Sequence, residues 1–189
     1  GDMQFAGFAK RLKAFAFDFI PIFIYILALF GATMGAITLM AYLGRPLRLP
    51  DNRLLGDLIA FLTLVLPVIL YFTLQEGSAR GATWGKRKIG IRVVDAKGEA
   101  LTRGWAPTKI SAGQAFLRSL VKFLPWQIAH TSLFHWEGWP FAPAEPTPMV
   151  IAGFVLAYLL VGIYIASALI SKNHRTPYDW AAGSYAIET

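Results

Sequence analysis

Long uninterrupted apolar stretches dominate the chain and leave it few ways to fold. Residues 14–43, 54–75 and 149–171 each run for more than twenty positions with almost no charge. A helix rises about 1.5 Å per residue, so about 20 apolar residues cross a hydrocarbon core about 30 Å thick. The sequence therefore predicts an integral membrane protein. Composition agrees: 56% of the 189 residues are hydrophobic and 15% charged, against roughly a quarter charged in soluble domains. With no cysteine, disulfides, thiolate metal sites and a cysteine nucleophile are excluded.

Gly1 and Asp2, ahead of Met3, read as an expression remnant. Lys10, Arg11 and Lys13 precede the first apolar run as in a signal peptide, but the run exceeds an h-region of about 7–15 residues, so a retained helix is expected. Gly31 and Gly35 form a small-xxx-small pair suited to close helix approach. In the second block, Asp57 is placed in the first turn, where a carboxylate favours the helix dipole, and Pro67 is expected to kink the helix. Gly77 reads as its stop.

The stretch from Glu76 to Lys109 is polar and basic. Ile89–Val94 alternates with β-branched residues, which suggests a surface hairpin with strands 89–95 and 99–102. Residues 112–136 begin with Phe116, Leu117, Leu120 and Val121 on one side and Arg118 and Lys122 on another. That pattern suits an interfacial amphipathic helix that bends at Pro125 and then crosses. Pro148 sits where the last block should start. The tail holds an amphipathic stretch around Asp179–Ile187.

Four crossings would put both termini on one side. That side would carry thirteen Lys or Arg residues against three, Arg45, Arg48 and Arg53, on the other. The positive-inside rule then makes the termini and the central loop cytoplasmic and accounts for the net charge of +7 without nucleic acid. The expected architecture is an all-α membrane bundle of four crossings in a single domain, with a short cytoplasmic β-hairpin and an interfacial amphipathic segment.

Asp18 stands out among the ionisable residues because Phe15, Phe17 and Phe19 surround it in the first apolar block. A charge there must face protein, water or a cation. Arg11 lies two turns earlier, about 10.5 Å along the axis, so each needs a partner from elsewhere. Asp179 is the candidate for Arg11, provided the tail returns to the same face. Such a cluster is either a buried staple for the tail or a cation or proton site. Lys86 belongs to Thr83-Trp84-Gly85-Lys86-Arg87-Lys88-Ile89-Gly90, which lacks the P-loop spacing and reads as a contact for anionic lipid headgroups. His130, His135 and His174 show no metal-ligand spacing, although His174 lies close enough in sequence to tune Asp179. No hydrolase motif occurs, so neither an enzyme nor a cofactor is expected.

Three segments in order, Ala6–Leu12 leading into Asp18, Gly81–Val94 and His174–Gly183, resemble the RDD family, named for one arginine and two aspartates. The resemblance covers the chain end to end. It implies a bacterial inner-membrane protein, with the family's arginine at Arg11 and its aspartates at Asp18 and Asp179, and transport of ions or small ligands as the usual suggestion. Pro177-Tyr178 stands where a leucine-histidine pair is common, with His174 a possible substitute. The long loop rich in proline and tryptophan before the last block favours a fourth crossing. The resulting expectation is cation or proton-coupled transport through Arg11, Asp18 and Asp179, with Lys86, Arg118, Lys122, His130 and His174 as secondary candidates. A homo-oligomer would enclose the path. The rival is an accessory protein that binds lipid or a partner, with the charged trio as a staple.

Overall fold

A computed structural model describes residues 4–48, 50–96 and 107–189. Gly1 and Asp2 lie outside the described residues, as does the expected strand 99–102. The first helix, α1 (Phe8–Tyr42), begins six residues before the apolar block and measures about 52 Å, longer than a simple span. Only Ala14, Asp18 and Ile22 are buried along it, one residue per turn on one face. Its second half is bare: Gly31 and Gly35 meet nothing within 4 Å.

The second block is one continuous helical rod, α2 (Arg53–Ala60), a π-helical segment (Phe61–Val65) and α3 (Leu66–Glu76). Asn52 caps it by accepting from the Leu54 and Leu55 amides. Asp57 therefore lies in the second turn rather than the first. It works across helices instead, accepting from Thr131 Oγ1 at 2.7 Å and Gln127 Nε2 at 3.2 Å. Pro67 has no N–H to give the carbonyl of Thr63, four residues back, and the helix widens to a π turn just before it. The Tyr25 hydroxyl of α1 donates to that carbonyl, so the freed backbone group is satisfied by a neighbouring helix.

Two short units of matching design follow the second and fourth long helices. Thr83 caps α4 (Trp84–Ile89), left-handed Gly90 ends it at φ 72°, and β1 (Ile91–Asp95) begins. Thr176 precedes α7 (Pro177–Ala182), left-handed Gly183 ends it at φ 59°, and β2 (Ser184–Glu188) begins. The strands pair antiparallel, with Val93 opposite Ala186. Among the described residues β1 finds its partner at the far end of the sequence, and the expected hairpin partner 99–102 lies outside them. The amphipathic stretch expected in the tail is a short helix followed by a strand.

The helix α5 (Ala112–Phe134) is a single rod, capped by Ser111 and Gln114 in a reciprocal box and unbroken at Pro125. Its sidedness is the reverse of an interfacial helix. Arg118 is 2% exposed, whereas Leu117 is 43% exposed. In a bilayer the outside is hydrocarbon, so charges turn toward protein and leucines turn away. The helix α6 (Pro148–Ile170) starts with Pro148 in its first turn, as expected, and packs on α5. There Ser132 fits against Gly153, where a Cβ would come within 1.9 Å of its Oγ.

Phe5 bridges to Ile187 of β2, so the start of α1 and the end of the chain lie together, beside the ends of α3 and α6. At the opposite end Arg53 donates to the carbonyl of His135 at 3.0 Å, joining the start of α2 to the end of α5. Three rods, Phe8–Tyr42, Arg53–Glu76 and Pro148–Ile170, are apolar and long enough to cross a membrane. A buried cluster of Ile22, Val65, Val68, Ile69, Phe72 and Phe123 joins α1, α3 and α5 just above the sheet end.

At Gly85, α4 rests directly on the backbone of α1. A Cβ on Gly85 would sit 2.1 Å from the Ala14 carbonyl oxygen and 2.8 Å from the Asp18 carboxyl carbon, against backbone that cannot yield. Gly85→Ala is expected to lower stability by about 1–3 kcal/mol or more, read as a fall in melting temperature of the detergent-solubilised protein. Gly31→Ala, which meets open space, should leave it nearly unchanged.

Candidate functional site

Asp18 is completely buried, and its carboxylate is filled by three donors. Thr83 Oγ1 donates to Oδ2 at 2.5 Å, and the Tyr71 hydroxyl and the Gly85 amide donate to Oδ1 at 2.9 and 2.8 Å. Thr83 thus serves twice, since its hydroxyl also accepts from the Lys86 amide at 3.3 Å. The carboxylate pins α4 against α1, and glycine at position 85 makes that approach possible.

A second assembly lies beside it. Arg11 Nη1 meets Asp179 Oδ2 at 2.6 Å. Asp179 Oδ1 accepts from Arg118 Nη2 and Nε at 2.9 and 3.1 Å, and Thr176 donates to Oδ2 from both its amide and its hydroxyl. Arg118 Nη1 turns the other way to Glu76 Oε2 at 2.5 Å, and Lys86 Nζ reaches Glu76 Oε1 at 2.5 Å. The result is an alternating chain, Arg11–Asp179–Arg118–Glu76–Lys86, with one residue each from α1, α7, α5, α3 and α4. Every carboxylate in it is fully buried. Burial alone would raise the Asp179 carboxyl, but the adjoining Arg11 and Arg118 guanidinium groups and their hydrogen bonds outweigh it and hold it well below the usual carboxylate range. Burial, with Asp179 alongside, pushes the Tyr178 phenol up.

The expected trio is therefore divided. Arg11 and Asp179 pair, while Asp18 bonds to neutral donors on α3 and α4. Lys86 is 5% exposed and belongs to the network rather than to a lipid surface; only Arg87 and Lys88 of its motif face outward. Arg118 is the centre of the network. His174, held at φ 53°, places Nδ1 2.9 Å from the carbonyl of Ala168 and does not meet Asp179. His130 accepts from Trp126 Nε1 at 2.7 Å, farther up α5. Glu76 escaped sequence reasoning, because it marks the point where an apolar block turns polar. Its one visible signal was a carboxylate in the last turn of an apolar helix, where it opposes the helix dipole and calls for cations.

Lys122, one turn after Arg118, stands apart. Its ammonium lies 4.0 Å from the centroid of the Phe72 ring and 5.1 Å from that of Phe15. Among the described residues no carboxylate meets it. Lys122, Arg11, Arg118 and Lys86 form the polar end of a cavity of about 450 Å³ bounded by α1, α5 and α6, whose remaining wall is mostly aromatic and aliphatic. Arg11 has a second donor, Nη2, that is buried and has no partner.

Removing one member of the network strands its partners. Asp179→Asn leaves two buried guanidinium groups underpaired and should cost about 3–5 kcal/mol. Asp179 also links stability to acid. Its folded pKa lies below the unfolded value of about 3.9, so its contribution is complete above that pH and drains away as pH falls below it. Melting temperatures of wild type between pH 7 and pH 3 should fall more steeply than those of Asp179→Asn.

No curated protein and no solved structure matches the chain. The model of the RDD family matches residues 5–183, which runs from the bridge at Phe5 to the glycine that ends α7 and takes in Arg11, Asp18 and Asp179. By that match the chain belongs to the RDD family of membrane proteins.

Proposed function

We propose that the protein binds a small anionic ligand within the membrane, in the cavity between α1, α5 and α6, and that the ion-pair network is the rigid floor of that site. One observation carries this reading. All three carboxylates of the region are saturated, while among the described residues Arg11 Nη2 is buried with no partner and Lys122 Nζ meets aromatic rings instead of an anion. Among the described residues, four cations share the space with Glu76 and Asp179, and Asp18 is the third carboxylate nearby. With Lys122 protonated the surplus is positive, which favours an anion over a free cation at the site.

In this reading α5 is a fourth crossing. Its 23 residues reach about 34 Å, and its charges face protein. The network end of the bundle faces the cytoplasm of a bacterial inner membrane, following the excess of basic residues there. The bare second half of α1, with Gly31 and Gly35, is the natural contact for a second copy or for lipid.

Cation or proton-coupled transport through Asp18 is the second reading. Its support is a fully buried carboxylate in a candidate span. A cation would first have to displace Tyr71, Thr83 and Gly85. Proteoliposomes carrying a sodium or pH gradient separate the two. We expect no dissipation beyond that of empty vesicles, and Asp18→Asn should lower the melting temperature. Flux that Asp18→Asn abolishes in a folded protein would establish transport instead. Acetate or inorganic phosphate should change the fluorescence of Trp126, which lines the cavity. Lys122→Met should weaken that binding about fivefold.

A further inference from the structure

The cavity is polar at one end only. Arg11 and Lys122 mark that end, and Phe19, Trp126, Ile165 and Ala168 form the apolar wall leading away from it. A site for a small soluble anion has no use for such a wall. Arg11 is itself more than nine-tenths buried, with a side-chain exposure of 9%, and its orphaned Nη2 faces neither water nor a carboxylate. The cavity is also open at its side. α1 packs on α4 and α6 packs on α5, but α1 and α6 barely meet. Phe19 and Ile165, which line the cavity from those two helices, are 46% and 41% exposed. Both residues belong to helices apolar and long enough to cross a membrane, so a gap between them would open toward lipid chains.

Building on the anion-binding reading, we propose that the occupant is an anionic membrane lipid, its charged head against Arg11 and Lys122 and an acyl chain along the apolar wall between α1 and α6. A buried guanidinium donor without a partner is costly unless an anion completes it, and the half-buried Lys122 ammonium beside it has no carboxylate among the described residues. A lipid is the anion already present at that depth. Its chain fills the gap between α1 and α6 with atoms as apolar as the side chains there. Lys122 is held over Phe72 and Phe15 by cation–π contacts rather than by an ion pair, so it can accept a phosphate or carboxylate without breaking any existing salt bridge.

The test is native mass spectrometry of the detergent-purified protein after incubation with dioleoyl phosphatidic acid, dioleoyl phosphatidylcholine or inorganic phosphate. One phosphatidic acid per chain is expected, held at least about fivefold more tightly than phosphatidylcholine. Lys122→Met should remove most of that preference, and Ala168→Phe, which fills the wall, should weaken both lipids. Arg87→Gln with Lys88→Gln, at the outer surface, should leave the preference in place. If Ala168→Phe melts well below wild type, Val161→Trp fills the same wall in its stead. Equal retention of the two lipids, a preference unchanged in folded Lys122→Met, or a preference lost with Arg87 and Lys88 overturns the proposal. Phosphate binding that depends on Lys122, without lipid binding, sinks the lipid and leaves the anion site standing. Absence of both sinks the two readings together.

Discussion

A charge at the depth of a bilayer survives only against an opposite charge or a set of hydrogen-bond donors, and this protein is organised around that requirement. Five helices meet on one alternating chain of ions, Arg11–Asp179–Arg118–Glu76–Lys86. No two members come from the same helix, so the chain cannot be completed until the whole end of the bundle is assembled. Buried ion pairs contribute little net stability compared with an apolar core. Their effect is selective: any packing that separates a helix from the others leaves an unpaired charge in a dry place.

Asp18 applies the same rule by other means. Its partners are a hydroxyl, a phenol and an amide, and the amide is available only because Gly85 lets α4 rest directly on α1. The two carboxylates that follow from the family resemblance thus perform parallel tasks. Asp18 anchors the unit Thr83–α4–Gly90–β1, and Asp179 anchors Thr176–α7–Gly183–β2. The pairing of β1 with β2 then joins the two units. Saturated acids beside incompletely used cations are the basis for proposing an anion in the cavity above them.

Much of this was legible in the chain. The spans at 14–43, 54–75 and 149–171 follow from apolar length alone, and Pro148 and Gly77 fall at helix ends as their backbone chemistry requires. The need of Arg11 and Asp18 for outside partners follows from the rise of a helix, and Asp179 was open to proposal as the partner of Arg11. Two readings failed for physical reasons. Arg118 and Lys122 lie on a polar stripe that is the same whether it faces water or protein, and periodicity carries no sign for the outside medium. A strand within 89–95 was visible, but its pairing with β2 was not, because strand pairing is a long-range choice. The equal spacing from Thr83 to Gly90 and from Thr176 to Gly183 was the one clue that two like units exist.

Sequence alone determined that the chain must live in a bilayer and that a few ionisable residues in it need partners, since both follow from transfer energies summed along a chain. Tertiary structure decided which partners they find. It set Asp18 apart from Arg11, brought in Glu76 and left Lys122 without an anion. Those outcomes depend on which helix faces meet, and burial of a charge fixes only that it must be paired, not by whom.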